Sequence, residues 1–406
     1  MNPADTAFVL FSAALVMLMT PGLALFYGGL VRSKNVLGTI MQNFFLLGVM
    51  GIQWALVGYS LAFGPDIGGL IGSLQYLGLN GVGSEPIEAY AKTIPHAAFM
   101  IFQAMFAIIT PALITGAWAE RLKFSAFLVF ILLWGTLVYD PMAHWVWGDG
   151  GWLKGLGALD FAGGTVVHVN AGIAALAAAL VIGKRAGYGK EAIIPHNLPM
   201  TVLGAGLLWF GWFGFNAGSA LAADGLATAA FIATHLATCA AVLAWCGAEW
   251  LIRGKPTTLG AASGAVAGLV AVTPAAGFVG PMSAVLIGAG AGIICYLAVL
   301  AKPKLGYDDS LDVVGVHGFG GVWGALATGL FASRAVNPAG ADGLFFGNPA
   351  QLGIQALAVL VTLVYSFVLS GILLKLIDAV LGLRVSPEEE LAGLDLTEHS
   401  ESGYSL

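Results

Sequence analysis

Charged side chains are scarce in this chain. Asp, Glu, Lys and Arg make up 9% of its 406 residues, against roughly 25% in soluble globular domains. A water-soluble protein of this length could not cover its surface with so few charges, so the composition excludes a soluble fold. We expect no nucleic-acid partner. Hydrophobic residues reach 58%. The sequence therefore predicts an all-α polytopic membrane protein.

Cysteine is also rare. Cys239, Cys246 and Cys295 fall inside predicted helices, and no two cysteines have Cys-x-x-Cys spacing. This pattern indicates neither a disulfide framework nor a zinc site. We expect the cysteines to be small core residues, and we expect neither a metal nor another cofactor.

Long uncharged runs define about eleven transmembrane helices, because about 20 apolar residues cross the hydrocarbon core. The predicted spans are 7–30, 36–63, 95–118, 124–147, 160–183, 196–219, 226–251, 258–275, 280–301, 311–333 and 348–380. We interpret the first ten as two five-helix repeats, about 1–190 and 191–340, followed by the extra helix 348–380. An odd number of helices inverts the second repeat. Residues 1–381 would form the membrane domain, and 382–406 a tail.

The basic residues support this count. With the N-terminus outside, every Lys and Arg except Lys92, Lys154 and Arg334 falls at the inner side. Such an asymmetry is the positive-inside pattern, and a missed helix would destroy it. We therefore expect a multi-pass protein of the plasma (bacterial inner) membrane with a cytoplasmic C-terminus.

Two histidines lie in the middle of predicted spans. His168 and His317 each belong to the last helix of a predicted repeat, and each is followed at His-x-x-x-Gly spacing by a glycine, Gly172 or Gly321. A titratable side chain in hydrocarbon is costly, so it is a functional-site candidate by default. The alternative is two unrelated histidines, each bonded to a backbone carbonyl.

Two imidazole rings that face each other at this depth would act as neutral hydrogen-bonding groups. Desolvation disfavours the charged ring, and a neutral ring has one donor and one acceptor nitrogen. A pair of such rings makes a polar line in an apolar passage. This line suits a small neutral molecule, whereas a dehydrated metal ion needs a ring of oxygens.

Several motifs carry a family resemblance. They are Pro21-Gly-Leu-Ala-Leu-Phe26-Tyr27-Gly-Gly, Ala119-Glu-Arg-Leu-Lys-Phe-Ser, Ala158-Leu-Asp160-Phe-Ala-Gly-Gly-Thr-Val-Val-His168, Pro195-His-Asn-Leu-Pro, Gly211-Trp-Phe-Gly-Phe215-Asn-Ala-Gly-Ser219 and Gly315-Val-His317-Gly. Together they resemble the ammonium transporter and Rhesus protein family, and in particular its bacterial ammonia channels, over nearly the whole chain.

The resemblance implies specific site residues. His168 and His317 would line the pore as twin histidines. The outer ammonium site would comprise Trp147, Ser219 and Phe106, and Phe106 would form a phenyl gate with Phe215. Asp160 would support the outer site indirectly, which also fits a carboxylate at a helix N-terminus. The resemblance adds Phe26 as a candidate lining residue of the inner pore.

The same resemblance implies partners. It predicts a homotrimer in membrane lipid, with one path per subunit for ammonium or ammonia and with methylammonium as a surrogate. The tail resembles an element that packs on the cytoplasmic face of bacterial relatives, where a PII-class signalling protein closes the exit when nitrogen is plentiful. The acidic run Glu388 to Glu390 would then pair with basic loops; the alternative is a disordered, solvated end.

The sequence also allows other interpretations of these residues. Without the resemblance, Trp147 would be an interfacial residue, Phe106 and Phe215 core or lipid-facing residues, and Ser219 a partner of backbone groups. A membrane enzyme would use the histidines as acid–base groups or metal ligands, but no nucleophile or carboxylate is predicted beside both. A sensor could act through the tail. We expect a transporter and not an enzyme.

Overall fold

Apolar helices make up most of the described chain. In residues 1–404, which the computed structural model describes, ten helices are long and apolar enough to cross a membrane, and α8 is a shorter eleventh. Their bounds are α1 Pro3–Leu30, α2 Ser33–Phe63, α3 His96–Trp118, α4 124–147, α5 Gly164–Ile182, α6 Leu198–Ala220, α7 Gly225–Arg253, α8 Thr258–Val272, α9 Pro281–Leu305, α10 Val314–Phe331 and α11 Pro349–Leu381. The predicted all-α membrane fold with about eleven helices is confirmed.

Helix ends differ from the prediction where a side chain or a turn moves them. α1 begins at Pro3, before the predicted residue 7, because the Asn2 side chain accepts a hydrogen bond from the Ala4 N–H. α5 begins at Gly164 and not at residue 160. The preceding Gly163 has φ of +121°, a conformation that other residues rarely adopt, and it separates Asp160 from the helix.

Four π-helical turns interrupt the spans. They are Trp54–Gly58 in α2, Gly135–Tyr139 in α4, Gly164–Val169 in α5 and Val314–Gly318 in α10. Such turns are rare and occur often at functional sites. Two of them contain His168 and His317, which gives these residues a backbone setting that apolar periodicity could not predict.

The helices pack in pairs that cross the predicted repeat boundary. α1 lies along α6, and α5 packs on both α10 and α11. We keep the terms first half for residues 1–190 and second half for 191–340. The division into inverted repeats, the extra helix and a separate tail stays a prediction.

Short irregular segments cover the end of the bundle near Trp147. The connection from α2 to α3 holds two small antiparallel pairs, β1 Asp66–Ile67 with β2 Ile71–Gly72, and β3 Pro86–Ile87 with β4 Ala91–Pro95. A single helical turn, Trp152–Gly155, follows α4. We call this end the Trp147 face.

The opposite end, which we call the tail face, is joined by buried ion pairs. Arg185 of the first half binds Asp308 of the second half, with Nη2 2.8 Å from Oδ1. Burial alone would raise the pKa of the Asp308 carboxyl, but the hydrogen bonds and charge of Arg185 outweigh it and hold that pKa below its usual value. Arg121 donates to the carbonyl oxygens of Gly183 and Asp308 and so also links the halves.

Residues 382–404 of the tail are folded against this face and do not form a disordered end. Two short helices, α12 Pro387–Ala392 and α13 Leu394–His399, lie beside the starts of α2 and α4. Its contacts include Asp395 Oδ1 with the Gly38 N–H at 2.8 Å and Glu398 Oε2 with the Phe124 N–H at 2.9 Å.

The acidic run pairs differently from the prediction. Glu390 forms its ion pair with Arg384 of the tail itself, at 2.6 Å, and accepts a hydrogen bond from the Ala186 N–H of the α5–α6 connection. Glu389 instead completes a capping box with Ser386. The acidic run therefore meets the α5–α6 connection by a carboxylate–backbone bond, and among residues 1–404 it forms no ion pair with the basic side chains of the loops.

Candidate functional site

His168 and His317 lie side by side at the centre of the bundle. Their Nδ1 atoms are 3.3 Å apart, the ring planes are inclined by 24°, and the residues are 1% and 3% exposed. If both rings are neutral, one Nδ1 carries a hydrogen and donates to the other. This leaves one Nε2 as a donor and the other as an acceptor. The His168 Nε2 atom is buried and has no partner among the described residues.

Glycines bring the two histidine helices into backbone contact. A Cβ on Gly172 would lie 2.3 Å from the Gly318 nitrogen, directly after His317. A Cβ on Gly321 would lie 2.9 Å from the Val169 nitrogen, directly after His168. The His-x-x-x-Gly spacing thus has a reciprocal purpose, because each glycine makes room for the backbone beside the other histidine.

Asp160 holds the start of the π turn that contains His168. Its two carboxylate oxygens accept hydrogen bonds from the backbone N–H groups of residues 163–166 and from the Thr165 hydroxyl. The Asp160 carbonyl oxygen accepts from Trp147 Nε1 at 2.9 Å. One residue therefore fixes both the histidine turn and the Trp147 ring, without its carboxylate being free to bind a ligand.

Asp309 has the corresponding position before His317, and the sequence reasoning missed it. It lies eight residues before that histidine, as Asp160 does before His168. Its Oδ2 atom accepts a hydrogen bond from the Val314 N–H at 2.7 Å, at the start of the second histidine-bearing π turn. The equal spacing was visible in the sequence and could have revealed this residue.

A cavity of about 280 Å³ opens at the Trp147 face. Trp147, Ser219, Phe106 and Asp160 line it, as does Gln103, whose buried Oε1 atom lacks a partner among the described residues. The Ser219 hydroxyl donates to the Phe215 carbonyl oxygen, so its own oxygen remains available to accept a hydrogen bond. The site has an aromatic face and acceptor oxygens, which suits a small cation with N–H groups.

Two phenyl rings separate this cavity from the histidines. The ring centroids of Phe106 and Phe215 are 4.5 Å apart with the planes inclined by 46°, so the rings touch but are tilted and not parallel. Phe106 also meets Trp147 edge to face at 5.9 Å. Below them the indole of Trp212, another residue that the sequence reasoning missed, stacks on His168 at 5.4 Å.

The space beside the histidines is narrow and apolar. A cavity of about 10 Å³ touches both histidines, Trp212 and Phe215. A further cavity of about 50 Å³ lies on the other side of His317, and Phe26 and Tyr27 line it. The structure thus brings all the predicted site residues to one line from the Trp147 face towards the tail face.

Among residues 1–404, no group of three or more His, Cys, Asp or Glu side chains could hold a metal ion.

The glycine crossing gives a testable prediction. We expect Gly172→Ala to lower the free energy of unfolding by about 1–3 kcal/mol, because its methyl group would overlap backbone atoms that cannot rotate away. Thermal unfolding in detergent measures this. Gly371→Ala in α11 is the control, since a Cβ there has nothing within 4 Å. Equal melting temperatures for the two variants would contradict the crossing.

Comparisons with known proteins identify the family of the chain. The chain matches the sequence profile of the Ammonium Transporter Family over residues 7–404. An ammonium transporter of Bacillus subtilis (strain 168) is 54% identical over 405 residues, covering 100% of this chain and 99% of that protein. Amt1 of Archaeoglobus fulgidus, also named an ammonium transporter, is 50% identical, with 100% of both chains covered.

Solved structures share the fold. The crystal structure of Candida albicans Mep2 is 37% identical with a TM-score of 0.90, covering 96% of this chain and 88% of that one. A structure described as a sensor Amt protein is 32% identical with a TM-score of 0.90, covering 98% of both chains. Because the profile spans almost the whole sequence and full-length relatives are half identical, this chain belongs to the ammonium transporter family.

Proposed function

We propose that the chain recruits ammonium at the Trp147 face, deprotonates or desolvates it, and passes it along an apolar pore lined by His168 and His317. The observation that carries the proposal is the histidine pair, whose Nδ1 atoms are 3.3 Å apart between two cavities.

Recruitment is supported by the chemistry of the outer cavity. The Trp147 ring attracts a cation through its π face, most strongly where water is partly excluded. The Ser219 and Gln103 oxygens offer acceptors for N–H groups. A cation bound there would lie next to the Phe106 ring. Together with Phe215, this ring blocks the route from the outer cavity to the histidines.

Passage beyond the phenyl rings favours the neutral molecule. The cavity at the histidines holds about 10 Å³, less than a hydrated ion needs, and its lining is apolar except for the imidazoles. Because one Nε2 donates and the other accepts, the rings can hydrogen-bond ammonia in both senses. An ion stripped of water would find no ring of oxygens to replace its hydration shell.

We also propose the cellular setting. The basic residues at the tail face support a cytoplasmic tail and an outer Trp147 face in a plasma or bacterial inner membrane. The many large apolar side chains on the outside of the single chain support contact with lipid and with further subunits, in a homotrimer.

The histidines provide the first test. We expect His168→Ala or His317→Ala to lower ammonium or methylammonium flux about ten-fold or to change its selectivity, because one hydrogen-bonding partner of about 1–3 kcal/mol is lost. Flux is measured in liposomes that contain the purified protein alone. Assembly is checked by size-exclusion chromatography, which should be unchanged.

His235→Ala is the matched control, because His235 is exposed on α7 and lies outside the proposed pore. Wild-type rate and selectivity in both pore variants would refute the role of the twin histidines. The same liposomes separate a transporter from a sensor, the second candidate, which is favoured by the likeness to a structure described as a sensor Amt protein. A pure sensor would show little flux without its partners.

Recruitment gives a second prediction. We expect Trp147→Leu and Ser219→Ala to reduce uptake more at low than at high substrate concentration. Loss of a cation–π contact of about 1 kcal/mol lowers occupancy about five-fold, and high concentration restores it. Trp250→Leu is the control, since that ring is 63% exposed at the end of α7. Unchanged uptake at micromolar substrate would show that these groups do not capture the cation.

We propose further that the folded tail forms part of a docking surface for a PII-class protein that closes the exit. The support is its ordered position, which presents the exposed Glu388 and Leu391 side chains beside the loops of the tail face. Such a surface combines charge and apolar area, as protein interfaces do.

Truncation after Leu381 tests the tail. We expect altered transport or loss of PII binding without loss of helix content, because the tail packs on the outside of the bundle. Glu390→Gln should weaken the tail's attachment at Ala186 and the ion pair with Arg384 inside the tail. Glu388→Gln, an exposed position, is its control for tail attachment. A fully active truncated form, together with no PII-type protein captured from the native host, would contradict this proposal.

A further inference from the structure

Two of the four π turns meet away from the histidines, at a pair of polar side chains that the proposed path does not use. Gln53 directly precedes the turn Trp54–Gly58, and Asp140 directly follows the turn Gly135–Tyr139. Gln53 is 6% exposed and Asp140 is fully buried within a membrane-spanning helix. An acid at this depth requires an explanation, because an ionised side chain in hydrocarbon is costly.

In the Gln53–Asp140 pair the amide nitrogen is fully hydrogen-bonded, whereas one carboxyl oxygen and the amide oxygen are not. Gln53 Nε2 donates to Asp140 Oδ2 at 2.8 Å and to the Thr136 hydroxyl at 3.1 Å, which uses both amide hydrogens. The Thr136 hydroxyl in turn donates to the Leu132 carbonyl oxygen. The remaining oxygens, Asp140 Oδ1 and Gln53 Oε1, are buried and have no partner in residues 1–404.

No charge in the described residues compensates an ionised Asp140. No Lys, Arg or His side chain forms an ion pair or a hydrogen bond with it. The groups that face it are the neutral Gln53 amide on α2 and, on its own helix, the Thr136 hydroxyl and the Tyr139 phenol. A carboxylate with one neutral donor would be far less favourable here than in water.

We propose that Asp140 is a buried proton-binding site, at which the carboxyl keeps its proton at neutral pH and closes a carboxylic acid–amide ring with Gln53. A proton on Oδ1 turns that atom into a donor, and Gln53 Oε1 is the unpartnered acceptor of the planar group already bound to Oδ2. One proton thereby satisfies both orphaned oxygens. The ring has two parallel hydrogen bonds, one in each direction.

The local backbone leaves room for this ring. A Cβ on Gly58 would lie 2.7 Å from Gln53 Oε1, so the last residue of the first π turn must be small for the amide to lie where it does. Asp140 begins the final segment of α4, Asp140–Trp147, which ends at the tryptophan of the outer cavity. The ring therefore ties α2 to the segment that carries Trp147, and it does so without adding a negative charge that would hold a cation below the cavity.

The test uses Asp140→Asn in the full-length protein, because an amide has the shape and neutrality of the acid form. The folded protein binds one more proton at this site than the unfolded chain, so wild-type stability falls as pH rises above the ordinary range of an aspartate. We expect Asp140→Asn to melt at least as high as wild type at pH 7, and its advantage to grow between about pH 5 and pH 8. Methylammonium flux should stay within two-fold of wild type.

Infrared spectroscopy reports the proton directly. Wild type at neutral pH should show the C=O stretching band of a protonated carboxyl that is missing in Asp140→Asn. In Gln53→Leu the band should persist and move to higher frequency, because its hydrogen bonds to the amide are lost. Asp149→Asn, at an exposed position, should leave the band unchanged.

Two results would overturn the inference. One is a wild-type spectrum without the band at neutral pH, which would mean an ionised Asp140 held by a bound cation or water. The other is an Asp140→Asn variant that melts below wild type at neutral pH, by a margin that is constant with pH. If Asp140→Asn does not fold, the wild-type band and its shift in Gln53→Leu decide the question.

Discussion

The arrangement of the two central histidines depends on a place where two backbones touch. At the crossing of α5 and α10, Gly172 meets the chain next to His317, and Gly321 meets the chain next to His168. Side chains can change rotamer when they are crowded, but main-chain atoms cannot. The separation of the two imidazoles is therefore set by the helices themselves, and the cavity beside them has little capacity to widen without separating the halves.

Two carboxylates complete this arrangement from opposite ends. Asp160 and Asp309 each cap the π turn that carries the following histidine, one near the Trp147 face and one near the tail face. The Asp160 carboxylate accepts from the Thr165 N–H group and the Asp309 carboxylate from the Val314 N–H group, so each turn has its own acidic cap. The Asp160 carbonyl oxygen also accepts a hydrogen bond from Trp147, so the same residue positions the ring in the outer cavity and the turn that contains His168.

The sequence predicted the helices because apolar length determines them, and its motifs named residues that line three cavities of the bundle. It could not predict the π turns, which insert one residue per turn without changing composition. Nor could it place Trp212 on His168 or Gln103 in the outer cavity, since both contacts are made between distant helices. The role of Asp309 could have been predicted from its spacing to His317. The folded state of the tail could not, because an acidic run alone is typical of disorder.

The tail face has two layers with separate attachments. The ion pairs of Arg185 and the hydrogen bonds of Arg121 join the first half to the loop at Asp308. Above them, the described hydrogen bonds of the tail end on the first half, on the connecting segment 183–197 and on Asp378 at the end of α11. Removal of the tail would therefore break contacts mainly with the first half and leave the Arg185–Asp308 ion pair between the two halves in place.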